Sequence, residues 1–312
     1  MDKTLLFVEG TIPLTFNGEA FYTYYKVVGN PPSSTSSSRP PVIAIHGGPG
    51  FSHDYILPIS DIVVRDPSTT VIFYDLLGGA RSTHLPHKPE TFWTFELFVA
   101  ELDNLVRHFG LQDKPFDLLG HCFGGALAME YIVEHQPKAL RRLVLVTSCA
   151  DSPSQHAERK RLIGELPSGP REILLESMAK HVQEGAPFLK EEKVAWRLFS
   201  DINCCNVHPL PAELQYSAEQ AEDDAGGSAP LNAMRNNVLE HNWDIKDRLH
   251  LIKVPTLLLN SERGYMTDAV VAPLFNSIEK VKWVKFAKSS HTPFWEERER
   301  FSKVLSGFLE QA

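Results

Sequence analysis

Cys122 stands in the segment with the clearest chemical pattern in the chain, Leu118-Leu119-Gly120-His121-Cys122-Phe123-Gly124-Gly125. An apolar, strand-like stretch runs into it, and a helix-like one leaves it carrying Ala126, Leu127, Met129, Tyr131, Ile132 and Val133. A glycine–x–nucleophile–x–glycine turn between strand and helix lets the chain reverse sharply with the nucleophile at the apex. The helix N-terminus behind that apex carries partial positive charge, which favours thiolate over thiol. A second group, His46-Gly47-Gly48-Pro49-Gly50, follows the apolar run Val42 to Ile45. Such a motif at a strand end turns backbone N–H groups toward a developing oxyanion. Its glycines admit close approach by a substrate, so Gly47, with His121 beside the nucleophile, is a candidate substrate contact. A third group, Ser289-Ser290-His291-Thr292-Pro293, places a histidine late in the chain, in the order expected of a nucleophile and its general base. Each signal has a plainer reading: a buried thiol at a helix start, a Gly/Pro turn, and one of thirteen histidines. Their joint placement after strand-like runs favours the chemical reading.

The elements needed to position these groups are legible. Leu14 to Phe16 and Glu19 to Val28 flank Asn17-Gly18, a hairpin signal. Val42 to Ile45, Val71 to Tyr74, Phe116 to Leu119, Leu143 to Val146, Thr256 to Leu259 and Val281 to Phe286 read as strands. The near-continuous apolar runs among them suit parallel strands buried on both faces. Phe95, Phe98, Leu102, Leu105, Val106 and Phe109 recur at helical spacing, as do Phe301, Val304, Leu305 and Phe308. Alternating strands and helices predict an α/β fold with a doubly wound, mostly parallel sheet and an N-terminal antiparallel pair. Residues 151–250 lack a strand signal and predict a helical insertion roofing the strand ends. The core domain would then be residues 1–150 and 251–312. The stretch PPSSTSSSRPP (Pro31 to Pro41) reads as a surface loop.

Composition narrows the function classes. The 312 residues carry 31 Lys+Arg against 39 Asp+Glu, a formal net charge of −8, which argues against nucleic-acid or anionic-membrane partners. No apolar run reaches the ~20 residues of a membrane span. The first residues, MDKTLLFVEGTIPLTF, lack the apolar stretch of a secretory signal. Four cysteines, at 122, 149, 204 and 205, form neither a disulfide framework nor a zinc-site spacing. These features predict a cytoplasmic enzyme without metal or cofactor, acting on a small-molecule substrate.

HGGPG, the Asp75…Gly78-Gly79…Arg81-Ser82 segment, the turn at Cys122, VPTLLLN and SSHTPFWEERERF together resemble the α/β-hydrolase fold, and within it the proline iminopeptidase and amino-acid amidase group. The similarity covers nearly the whole chain and is weakest in residues 151–250. Transferred residue by residue, it implies Cys122 as nucleophile, His291 as base, and oxyanion donors from the backbone N–H groups of Gly48 and Phe123.

Three departures from the group's pattern bear on activity. The group carries Ser where this chain has Cys122. Its acid falls on Gly264 in Asn260-Ser261-Glu262-Arg263-Gly264-Tyr265, which leaves His291 without the carboxylate that orients it. A thiol tolerates that loss better than a hydroxyl. Asp151, following the strand Leu143 to Val146, is the candidate replacement, with Glu262 and Asp268 behind it. The group also holds a substrate's free amine with carboxylates, and the matching stretch has Leu210 and Ala212 at two of its positions. Glu213 or Glu240 would have to substitute, so a less charged acyl substrate (ester, amide or thioester) is expected. Two further readings stand beside an acyl-transfer hydrolase. One is a non-hydrolytic cyclase, lyase or isomerase on the same fold; the other is a weak ligand-binding protein.

Overall fold

The computed structural model describes residues 6–31, 39–184, 190–222, 226–236 and 242–310. Eight strands form one sheet in the order β1-β2-β4-β3-β5-β6-β7-β8. β1 (Phe7–Phe16) and β2 (Glu19–Gly29) pair antiparallel from Phe16↔Glu19 outward, across a turn in which Asn17 and Gly18 have φ of 50° and 78°. β1 begins seven residues before the expected Leu14. Its outer half is mostly exposed, so it carries no apolar pattern, and only the register with β2 defines it. β2 then lies antiparallel to β4 (Thr70–Tyr74), and the remaining strands are parallel: β3 (Val42–Ile45), β5 (Phe116–His121), β6 (Leu140–Val146), β7 (Thr256–Ser261) and β8 (Val281–Phe286).

The continuous apolar runs have a direct physical cause. Ile43, Ile45, Leu118, Leu143, Leu145 and Leu258 point into one core, and Val42, Ala44, Leu119, Val144, Leu257 and Leu259 into another. A sheet with a core on each face needs apolar side chains at every position rather than every second one. Edge strand β8 shows the contrast, with Lys282 and Lys285 interrupting its apolar residues.

The helices follow the expected alternation. α1 (Asp61–Arg65) and α2 (Phe95–His108) precede β5, and α3 (Phe123–His135) joins β5 to β6. Thr94 caps α2 by accepting a hydrogen bond from the Leu97 N–H. Between β6 and β7 lie α4 (Ser152–Gly164), α5 (Pro170–Glu184), α6 (Lys190–Asn203), α7 (Ala212–Glu222) and α8 (Ser228–Met234), with no named strand among the described residues. α9 (Asp268–Ser277) links β7 to β8, and α10 (Pro293–Glu296) and α11 (Arg298–Leu309) close the chain. Among the described residues no helix is long and apolar enough to cross a membrane.

Candidate active site

The turn between β5 and α3 forms as its glycines demand. Cys122 sits at the apex with φ 53° and ψ −117°, outside both helical and extended geometry. A Cβ at Gly120 would run into the backbone of Gly124, and one at Gly124 into the carbonyl of Ile45, so both positions exclude any side chain. The strained apex is held from outside: the Cys122 N–H donates to the Val146 carbonyl at 3.0 Å, and the Ser148 hydroxyl donates to the Cys122 carbonyl at 2.7 Å.

The backbone N–H groups of Phe123 and Gly48 both favour the charged form of the Cys122 sulfur. They come from the first turn of α3 and from the glycine loop after β3. Despite these donors, burial pushes the Cys122 thiol above its ordinary range; the N–H groups, the Tyr265 hydroxyl and the Arg159 charge only partly offset it. The expectation of a standing thiolate is therefore corrected. At the apex, loss of solvent outweighs the helix N-terminus.

His291 lies in the loop between β8 and α10 and is 6% exposed. Burial drives its imidazole well below the usual range, reinforced by His121 and Arg159. The resting pair is thus neutral thiol and neutral imidazole. A third residue stands between them: the Tyr265 hydroxyl is 3.9 Å from the Cys122 sulfur and 3.0 Å from His291 Nε2. The Tyr265 ring also stacks on the His291 ring, with centroids 4.5 Å apart.

No carboxylate orients His291 among the described residues, and its Nδ1 is buried without a hydrogen-bond partner. The expectation that Asp151 serves as the acid is corrected. Its carboxylate caps α4, accepting from the Ser154 N–H at 2.8 Å and the Ser154 hydroxyl at 2.9 Å, and it faces Lys246 at 3.4 Å. An Asp after a strand and before a helix serves the helix end nearest to it. Glu262 and Asp268 are both engaged by Lys285 instead. Gly264 does lie against the histidine loop, where a Cβ would come within 3.1 to 3.3 Å of Ser290 and His291 backbone atoms.

Gly47 and His121, expected to touch substrate, do different work. The Gly47 N–H donates to the Tyr55 hydroxyl at 2.6 Å, which in turn lies 2.6 Å from His121 Nδ1. His121 Nε2 is 3.0 Å from the His291 carbonyl. A carbonyl only accepts, so His121 carries its proton on Nε2, and the Tyr55 hydroxyl donates to Nδ1. Burial holds His121 neutral, lowering its pKa to about 4. The chain Gly47–Tyr55–His121–His291 therefore ties the glycine loop to the histidine loop. Thr147 adds a second donor to the same carbonyl at 3.0 Å, and the His291 N–H donates to the Cys204 carbonyl at 3.1 Å. Cys204, just after α6, thus helps hold the His291 loop.

Glu213 is exposed in a recess with Phe7, Lys26, Trp295 and Arg298, and makes no contact with Cys122 or His291; Glu240 lies outside the described residues. His53, Asp54 and Asp75 have ligand atoms close enough to hold a cation, but the Arg81 guanidinium already lies 2.6 Å from Asp54 and 3.5 Å from Asp75. Tyr265 and Tyr55 carried no recognisable sequence signal. Tyr265 falls in the very segment whose missing acid is noticed, yet a tyrosine there has no fixed meaning until its hydroxyl is placed.

The nucleophile-type turn, the paired glycine loop and the late histidine on this sheet define an α/β hydrolase. The chain belongs to that family: residues 40–298 match the alpha/beta hydrolase fold model. It is similar to the proline iminopeptidase of Thermoplasma volcanium, at 29% identity over 94% of this chain and 95% of that protein. The Clostridioides difficile proline iminopeptidase is 28% identical over 96% and 97%. Among solved structures, VinJ superposes with a TM-score of 0.83 and 31% identity, covering 97% of this chain and 98% of that one. The Mycobacterium smegmatis proline iminopeptidase superposes with a TM-score of 0.78 and 28% identity over the same shares. The protein is a hydrolase-like enzyme of the proline iminopeptidase-like group.

Proposed function

We propose that the protein hydrolyses a small acyl substrate through a covalent thioester on Cys122, with His291 as general base and the helices between β6 and β7 acting as a cap. The observation that carries this reading is the Tyr265 hydroxyl set between the Cys122 sulfur, at 3.9 Å, and His291 Nε2, at 3.0 Å, with Cys122 at the strained apex of the β5–α3 turn. In the first half-reaction the thiol proton passes to the Tyr265 oxygen while the Tyr265 proton passes to His291 Nε2. The sulfur bonds to the carbonyl carbon, and the oxyanion takes hydrogen bonds from the Phe123 and Gly48 N–H groups. Collapse breaks the bond to the leaving group, which takes the proton from His291. Water then attacks the thioester with the same groups as base, releasing the acid and restoring the thiol.

Forming imidazolium here is costly, because His291 is buried with Nδ1 unpartnered. Charge separation is consequently brief, and a nucleophile more acidic than serine suits the site. Several of the relatives are named proline iminopeptidases, but among the described residues Glu213 lies in a separate recess, away from the thiol, and supplies no carboxylate for a free amine. An acyl group without an α-amine fits better.

Incubation with a 4-nitrophenyl ester should leave an acyl adduct in intact-mass spectra, absent from Cys122→Ala, and a prolyl amide should turn over poorly. Undiminished turnover by Cys122→Ala would overturn the covalent route. The unpartnered Nδ1 supports a second reading, a lyase or isomerase in which His291 moves a proton and no adduct forms.

A further inference from the structure

α4 turns one face inward, and that face is polar where the site begins. Ser152, Gln155 and Ile163 are its buried residues, and Arg159 falls on the same stripe, four residues from Gln155 and four from Ile163. Arg159 is half-buried, and its guanidinium carbon lies 5.5 Å from the centroid of the Tyr265 ring, the residue that bridges Cys122 and His291. Its positive charge is felt at Cys122, Cys149, Cys204, Tyr265 and His291. These neighbours are thiols, a phenol and an imidazole, all neutral at rest. Among the described residues Arg159 has no ion-pair partner, whereas Arg81, Arg141, Arg161, Arg248 and Arg298 each hold a carboxylate.

A guanidinium beside the ring that bridges Cys122 and His291 repels the charged amine that an N-terminal proline would bring. It offers instead a planar fork matched to one carboxylate. A single guanidinium suits a monoanion rather than a doubly charged phosphate ester.

We propose that Arg159 is the specificity residue of the site and binds a carboxylate on the acyl part of the substrate, so that the substrate class is a half-ester, half-amide or half-thioester of a dicarboxylic acid. The inference rests on the acyl-transfer reading above and narrows its substrate. The carboxylate would exchange water for the guanidinium, while the far carbonyl lies against Cys122.

The test separates binding from chemistry. Isothermal titration of Cys122→Ala with monomethyl glutarate and with neutral dimethyl glutarate reads recognition without turnover. The monoanion should bind more tightly. Arg159→Gln in the same background should weaken it about 10- to 100-fold, as expected for a lost hydrogen bond to a charged group, with dimethyl glutarate unchanged. Arg159→Lys should recover part of the loss. In the active enzyme, kcat/KM for 4-nitrophenyl hemiglutarate should fall with Arg159→Gln far more than kcat/KM for 4-nitrophenyl pentanoate. Equal binding of the two glutarates, or equal losses on both esters, would overturn the proposal. Selective binding by Cys122→Ala together with undiminished turnover by that variant would leave the anion site standing and remove the covalent mechanism instead.

Discussion

Replacing Tyr265 by Phe tests whether the hydroxyl between sulfur and imidazole carries the proton or merely fills space. The hydroxyl sits 3.0 Å from His291 Nε2 and 3.9 Å from the Cys122 sulfur. The ring is buried among Phe199, His291 and the Arg159 side chain, so Phe keeps the packing. What disappears is one oxygen and its proton. His291 would then have both ring nitrogens buried without a partner, since Nδ1 already lacks one. A lost hydrogen bond that strands a buried acceptor costs about 1–3 kcal/mol of stability. Acid–base assistance is worth about 10²–10⁴ in rate, or roughly 3–5 kcal/mol of barrier at 1.36 kcal/mol per tenfold. The expected Tyr265→Phe enzyme melts a few degrees lower and loses at least about 10²-fold in kcat, with KM nearly unchanged. Stopped-flow acylation with a 4-nitrophenyl ester, run beside a thermal melt, separates the two effects. A kcat within a few-fold of the parent, or higher, would refute the relay. It would mean that the sulfur reaches His291 directly once the tyrosine oxygen is gone.

Two other substitutions probe the missing acid. Asp151→Asn should keep the α4 cap nearly intact in urea melts, because an Asn oxygen accepts from the Ser154 N–H as Asp does, with kcat within a few-fold of the parent; a loss of 10² or more would restore Asp151 as the catalytic acid. Gly264→Asp should give His291 a carboxylate neighbour and raise its depressed pKa. Because the base works in its neutral form, the acid limb of the kcat/KM profile should then move to higher pH, and an unmoved limb would place the new carboxylate out of reach.

Much of this protein is legible in its amino-acid order because the relevant forces are local. The strands β3 to β7 announce themselves because a sheet buried on both faces has no polar positions to spare. The turn at Cys122 announces itself because only glycine survives at Gly120 and Gly124, where backbone meets backbone. His291 follows from chain order and from its place after the last strand. What the order could not decide were the partners of polar side chains, which depend on distance across the fold. Asp151 is well placed by sequence to be an acid, yet the nearest unsatisfied donors are those of its own helix, and it binds them. His121 beside the nucleophile suggests substrate contact, yet Tyr55, 66 residues earlier, and the His291 carbonyl, 170 residues later, claim both its nitrogens. Arg159 and Tyr265 reach the site from α4 and from the β7–α9 loop, and neither residue type carries meaning until a neighbour is specified. Backbone sterics are written residue by residue and can be read that way; the pairing of buried polar groups is settled only when the whole sheet has brought distant loops to one end.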